Sequence, residues 1–455
     1  MTSSARKIAA TLLCLCAACE GLKTEPAAVT AAEAAPGASP VAAPGIKTDR
    51  GVDLASKTIK LGVLNDESGS AATIGKPYAV GKRVLAAQIN AGGSGLLPDG
   101  WKVELVERDH GYNPQKAVQA YSEIKDDVLL IAHSFGTPNT LPLRPMLERD
   151  SVIALPGSLA SAMSQNRFTI PNQPSYELEA MRAFDFIVSE HEKAGKKKSD
   201  IRAAVIYQQD DYGQDGLNGW TRAAEHHGVP LVSKQAVIVG QRDFAAILDA
   251  LKTAGATHVM LSVLPGATQP LLTAAAQLSY RPTWLGQSPS WIDAFFDPQV
   301  VKPRLFAGYY WVTGGTYWGE NVPGMAKFLE AYQQHGEAHS TPDYYLLASY
   351  AQGVLAVEII RRAIEAGDVT RAGLLAQLPA ITGFDGHGLT QPIDLSKFPP
   401  YVTSTRTRVM KPDLAKKSWT TVGEFASPLA LEGKAAESGK TADAAAAGEQ
   451  RLAAQ

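Results

Sequence analysis

Two successive trains of short apolar runs alternating with amphipathic segments constrain this chain more than any other feature. Residues 59–64 read as a strand, and residues 78–90 place Val80, Val84, Leu85 and Ile89 on one helical face before Gly92 and Gly93 stop it. Residues 101–107 alternate as a strand. Asn113 and Pro114 supply an N-cap and a first helical position for a helix over 115–124, and residues 128–132 form a strand with the look of full burial. A helix over 142–149 and a short strand over 152–155 complete a β, α, β, α, β, α, β order, the pattern of a doubly wound sheet.

The second train opens with a long helix over 176–194. It continues with strands over 203–208, 231–239, 258–263 and 283–286, separated by helices over 216–226, 244–254 and 270–278. A strand over 306–312, long helices over 325–334 and 344–366, a shorter helix over 371–378 and a late alternating strand over 403–409 follow. The predicted fold class is therefore α/β in two lobes, each a doubly wound, mostly parallel sheet flanked by helices. Ligands of open α/β sheets bind at the carboxyl ends of the strands, so a cleft between the two sheets is expected.

Composition narrows the chemistry. With 455 residues and 45% of them hydrophobic, the chain can bury full cores. Its 43 Lys and Arg against 45 Asp and Glu leave no global basic surplus for a phosphate backbone, no local basic stripe stands out, and no nucleic-acid partner is expected. Cys14, Cys16 and Cys19 are the 3 cysteines, so the rest of the chain can hold no disulfide framework, thiol nucleophile or Cys-ligated zinc. Gly69 to Lys76 imitates a phosphate loop, but the glycine spacing is wrong and Pro77 stands where Ser or Thr would ligate magnesium. The glycines at 92, 93 and 95 follow a helix and make no dinucleotide fingerprint. No Gly-x-Ser-x-Gly or His-Glu-x-x-His segment occurs. His226 and His227 read as a solvated helix end, and Asp210 and Asp211 as a binding loop or helix cap. No catalytic residue, metal or cofactor is expected, and the chain is not read as an enzyme.

The first twenty residues account for the cysteines. Arg6 and Lys7 precede an apolar run over 8–18 that is too short to span a bilayer, and Ala17 and Ala18 stand before Cys19. This resembles a bacterial lipoprotein signal, with residues 1–18 removed and Cys19 carrying the lipid. Cys16 stands where the usual pattern has Leu, and an ordinary secretory signal with an incidental cysteine is the alternative. Both imply export, to the periplasm or the cell surface. Residues 19–55, rich in Ala and Pro at first, are expected to be a disordered tether, and residues 429–455 a disordered tail.

The body carries a run of fragments in a fixed order: residues 59–64 followed by Ser68 and Gly69, Ile89 to Gly93, Val103 to Val106 leading to Asp109, Asn113 to Ala117, Gly136 to Thr140, Pro156 to Ser158, and above all Val205 to Gly216. In this order and spacing the body, from about Ser56 to Pro428, resembles the periplasmic solute-binding proteins of the branched-chain amino-acid class that serve ABC importers. The resemblance implies a type I periplasmic-binding-protein fold whose chain crosses between lobes three times. The first lobe would take residues 56–174 and 311–400, and the second 175–310 and 401–428. It also implies a monomer that captures a small organic solute and delivers it to an ABC permease and its ATPase, touching the membrane only through its anchor.

Residue by residue, the resemblance assigns Phe135, Gly136 and Thr137 to the ligand's carboxylate, Gly157 and Ser158 to a loop whose main-chain groups approach the ligand, and Tyr212 to a ring brought over it by the second lobe. Three positions depart from the family pattern: Leu159 replaces a threonine, Leu264 an aromatic ring, and the loop with Gln287, Ser288 and Trp291 lacks the acidic residue expected for an ammonium group. Burying an ammonium without such partners is costly. The expected ligand, amino-acid-like in size, therefore lacks a fixed ammonium: an amide, a small carboxylic acid, or an aromatic or aliphatic solute, with Gln287, Ser288 and Trp291 along one side. A sensor of amides or an activator of cell-wall synthases on the same fold is the alternative, and an exported hydrolase a more distant one.

Overall fold

The apolar runs become parallel strands buried on both faces, as the near-continuous hydrophobic character of Ile59, Leu61, Val63 and Leu64 requires once helices cover both sides of a sheet. A computed structural model describes residues 45–337, 342–401 and 403–431. The expected leader, Cys19, most of the tether and most of the tail lie outside the described residues.

Two short strands, β1 (Lys47–Thr48) and β2 (Val52–Asp53), lead into β3 (Thr58–Asn65), α1 (Ala72–Asn90), β4 (Lys102–Asp109), α2 (Pro114–Ile124), β5 (Leu130–Phe135), α3 (Thr137–Thr140), α4 (Arg144–Asp150) and β6 (Ala154–Gly157). The long strands run parallel in the order β4-β3-β5-β6, with β2 antiparallel to the start of β3. α2 begins where expected: the Asn113 side chain accepts from the Lys116 N–H at 3.0 Å and Pro114 follows.

The second lobe comprises α5 (Tyr176–Lys193), β7 (Ala203–Gln208), α6 (Asp211–His227), β8 (Leu231–Val237), α7 (Ala245–Thr253), β9 (His258–Ser262), α8 (Pro265–Gln277), β10 (Thr283–Gly286) and β11 (Tyr309–Thr313). Its parallel order is β8-β7-β9-β10-β11, the same winding as in the first lobe. The chain then returns: α9 (Pro323–His335), α10 (Tyr344–Glu365), β12 (Asp368–Val369), α11 (Arg371–Gln377), β13 (Thr382–Phe384) and β14 (Ile393–Asp394) close over the first sheet. Val84 of α1, Phe328 of α9 and Leu347 and Ile360 of α10 share one core there. Finally β15 (Thr407–Asp413) and β16 (Ser418–Ala426) extend the second sheet antiparallel beyond β11. Among the described residues no helix is long and apolar enough to cross a membrane.

Several boundaries differ from the sequence reading. The tether does not reach 55: Lys47 and Thr48 pair with Asp368 and Val369, and Val52 pairs with Ile59, because backbone pairing overrides the low apolar content of the segment. Residues 311–313 stay in the second sheet, since Trp311 and Val312 pair with Met410 and Val409. Tyr401, by contrast, packs in the first lobe's core, its N–H bonded to the Ser164 carbonyl at 3.0 Å. The expected late strand is two, and residues 429–431 are packed, with Ala430 in the second lobe's core and the Leu429 N–H bonded to Asp185 at 2.9 Å. α1 and α8 start six and five residues before their expected starts. Each carries an inner proline, Pro77 and Pro270, that suggested a first turn, and burial of Ile74 and Thr268 in the preceding turn decides otherwise. His227 is not solvated: it bonds Asp185 at 2.6 Å and stacks on Phe184.

Candidate ligand-binding site

Both sheets aim their carboxyl ends at one cleft. In the first lobe β5 ends at Phe135, and Gly136 turns the chain at φ 84° into α3. Only glycine suits this place, because a β-carbon would also lie 2.7 Å from the Asn139 side-chain nitrogen and 2.8 Å from the Tyr112 ring. The turn leaves Thr137 at the start of α3 with its hydroxyl 2.6 Å from that of Ser158, just after β6, and both side chains are buried. In the second lobe Asp210 caps α6 by accepting from the Gly213 N–H at 3.0 Å, which resolves the Asp210–Asp211 pair as a cap. The cap sets Tyr212 over the cleft, its hydroxyl donating to the Val263 carbonyl at 3.3 Å and its ring edge-on to Tyr176 with centroids 4.7 Å apart.

The space enclosed here is about 500 Å³, mouth included. Of the expected residues, Phe135, Gly136, Thr137, Gly157, Tyr212, Leu264 and Ser288 line it. Ser158 stands behind Thr137. Gln287 and Trp291 do not line it, which corrects their expected place: Gln287 is buried and donates to the Tyr176 carbonyl at 2.5 Å, and Trp291 is wholly buried among Phe306 and Trp419, with ring centroids at 4.8 and 4.6 Å. The loop after β10 folds back on its own sheet, so only Ser288 and Pro289 face the cleft.

The sequence reading missed much of the wall. Ile74 and Tyr78 come from α1, Tyr112 from the loop after β4, Gln173 and Tyr176 from the first crossing, and Tyr344 and Tyr345 from the start of α10. A signal existed for the last pair: Asp343 precedes them as an N-cap, accepting from the Leu346 N–H at 2.8 Å, so the helix start expected at 344 was readable. Which face it turns to the cleft was not.

No lining residue carries a charge. The acidic groups sit one layer back and are held by the protein's own donors. Glu179 receives the Ser288 N–H at 3.0 Å and hydroxyl at 3.1 Å, and burial pushes its carboxyl up to about 8. Asp293 receives Tyr317, Trp291, Trp318 and the Tyr344 N–H, and burial raises it as well. Asp215 ties the lobes together, accepting from the N–H and hydroxyl of Ser161 across the cleft and from the Glu177 N–H, with its carboxyl raised by burial to about 6. On the first-lobe side Tyr78 stacks on His133, which shares the Gln352 amide oxygen with the Lys82 ammonium at 3.0 Å each. Burial pushes both bases down. The described residues contain no group of three side chains able to hold a metal ion. The arrangement can hold a small uncharged or acidic solute by rings, hydroxyls and backbone N–H groups.

Residues 58–398 match the family model described as periplasmic binding protein. The chain belongs to that family, in its branched-chain amino-acid type among ABC transporter binding proteins. Its family and fold are those of solute-binding proteins rather than enzymes, and the family implies export. An amino acid binding protein of Pseudomonas aeruginosa is 28% identical over 222 residues, 47% of this chain and 56% of that protein, so the chain spans little more than half of that relative's length. A leucine-, isoleucine-, valine-, threonine- and alanine-binding protein of the same bacterium is 22% identical over 376 residues, covering 78% of this chain and 93% of the relative. A fatty acid ABC transporter substrate-binding protein from Thermomonospora curvata superposes with a TM-score of 0.76 at 25% identity, over 85% of this chain and 96% of that one. A Thermus thermophilus branched-chain amino acid ABC transporter protein with bound valine superposes with a TM-score of 0.72 over 83% of this chain and 98% of that one, at 19% identity, and shows the fold alone.

Proposed function

We propose that this chain is a lipid-anchored solute receptor, held to a bacterial membrane by Cys19, that closes its two lobes around a small carboxylic acid or amide without an ammonium group and hands it to an ABC import permease. The observation that carries the ligand class is the cleft wall: rings, aliphatic side chains and a Thr137–Ser158 hydroxyl pair, with no carboxylate facing inward. A buried ammonium would find only tyrosine rings and hydroxyls, whereas a carboxylate would find donors in the first lobe. The similarity to a fatty acid ABC transporter substrate-binding protein accords with an acidic, apolar ligand. Closure follows from differential affinity: a ligand touching both Thr137 and Tyr212 binds the closed form more tightly and shifts the equilibrium toward it, and the receptor acts as a monomer.

The test is a thermal-shift screen against amino acids, amides, aliphatic acids and aromatic acids, since a ligand that binds only the folded state raises its apparent stability. Acids or amides should stabilise strongly and the matching α-amino acids weakly. Strong stabilisation by leucine or valine would sink the ligand class. A strain lacking the chain that imports the identified ligand normally would turn the reading from delivery to sensing.

A further inference from the structure

Behind the cleft, at the hinge, lies a second cavity that opens to solvent and measures about 630 Å³ with its mouth included. It shares two wall residues with the cleft, Leu159 and Gln173. Gln173 is fixed, its amide oxygen taking the Tyr344 hydroxyl at 3.1 Å. Leu159 is anchored through its backbone, whose carbonyl accepts from the Tyr176 N–H at 3.0 Å, and its half-buried side chain packs on the cluster of Ala160, Met163, Tyr176 and Tyr212. Beside the fixed Gln173, a single leucine side chain therefore stands between the two spaces.

The hinge cavity is apolar where it matters. Ala160, Pro171, Leu178, Pro400 and Tyr401 supply hydrocarbon and ring faces. Most of its hydroxyls are already engaged: Ser161 on Asp215, Ser164 on the Ser161 carbonyl, Ser175 as the cap of α5 and Thr405 on Ser427. Tyr401 closes the far side, bonded to the Ser164 carbonyl at 3.0 Å and the Arg167 carbonyl at 2.8 Å. An occupant would find few unpaired polar groups there, and hydrocarbon would gain by leaving water.

We infer that the ligand is an elongated amphiphile, a monocarboxylic acid whose polar head sits at Gly136 and Thr137 and whose apolar chain passes Leu159 into the hinge cavity. This rests on the acidic, ammonium-free ligand proposed above and adds its shape. Without the passage past Leu159, the cleft alone would limit the length of the chain.

The experiment measures affinity of the full chain for straight-chain monocarboxylates from butyrate to dodecanoate by calorimetry, repeated on Ser164→Phe and, in case that variant folds poorly, Thr403→Phe. Both positions face the hinge cavity and neither lines the cleft. Affinity should climb about fourfold per methylene once the chain reaches past Leu159, and either variant should flatten that climb while short acids bind as before. Short acids that bind while longer ones gain nothing would overturn the elongated ligand and leave the acid receptor standing. A climb that both variants leave intact would show the chain to lie elsewhere and overturn it too. Failure of every acid to bind would overturn both readings together.

Discussion

The two lobes wind their strands in the same order and point the same ends at one cleft, yet they furnish it with different chemistry. The first lobe offers a glycine turn and a buried hydroxyl pair, Gly136 with Thr137 and Ser158. The second offers Tyr212, Leu264 and Pro289, and keeps its carboxylates, Glu179 and Asp293, one side chain behind the surface. Shared topology fixes where a site lies and leaves its chemistry to the loops. The front layer of the second lobe faces the cleft, while the layer behind it holds carboxyl groups that burial keeps protonated to higher pH and that accept from the protein's own donors.

The sharpest way to break that contrast is Trp291. If it belongs to the packing layer, Trp291→Ala should cost about 3–5 kcal/mol of stability in denaturant unfolding and leave ligand affinity unchanged at a temperature where the variant is folded. A selective loss of affinity would move the whole back layer into the site. Glu179 tests the carboxyl held behind Ser288. Its folded carboxyl, near 8 against an ordinary 4.5, binds more protons than the unfolded one between those values, so its stabilising contribution is complete below about 4.5 and is lost as pH rises through about 8. The melting temperature of the native chain should therefore fall more steeply from pH 5 to pH 8 than that of Glu179→Gln, which keeps an acceptor for Ser288 and does not titrate. Equal slopes would mean that the carboxyl meets water.

Smaller effects belong to the first lobe. Gly136→Ala should lose about 1–3 kcal/mol, because the left-handed turn and the contacts at Asn139 and Tyr112 admit no β-carbon without a shift, and ligand affinity should fall with it. Thr137→Val removes one hydroxyl and should weaken the identified ligand about tenfold while changing the melting temperature little. If instead Tyr212→Phe cost more affinity than Thr137→Val, the polar recognition would sit in the second lobe and the contrast between lobes would reverse.

The fold was readable because its signal is periodic. Strands that are buried on both faces and helices with one apolar face announce themselves locally, and Asn113, Asp210 and Asp343 mark helix starts by chemistry that acts within one turn. The boundaries that slipped did so where a distant partner decides. Lys47 and Thr48 have no apolar pattern, yet Asp368 and Val369 pair with them across more than three hundred residues of chain. Pro77 and Pro270 look like helix starts until the turn before each is buried.

The site divides along the same line. Phe135, Gly136, Thr137, Gly157, Tyr212, Leu264 and Ser288 sit at or just past strand ends, and strand ends follow from the alternation that the chain itself spells out. Tyr78, Tyr112, Tyr176, Tyr344 and Tyr345 reach the same cleft from helices and crossings whose rotation is set only when two sheets pack against each other. Gln287 and Trp291 stand in the right loop and face away, because Gln287 finds the Tyr176 carbonyl and Trp291 an aromatic cluster that includes Trp419, far along the chain. Local sequence thus settled the elements, their order and the ends from which a ligand is approached, since hydrogen bonding and periodic burial act over a few residues. Which side chains face that ligand, and which stand a layer behind, depended on contacts between segments remote in sequence, and only packing in three dimensions chooses among those.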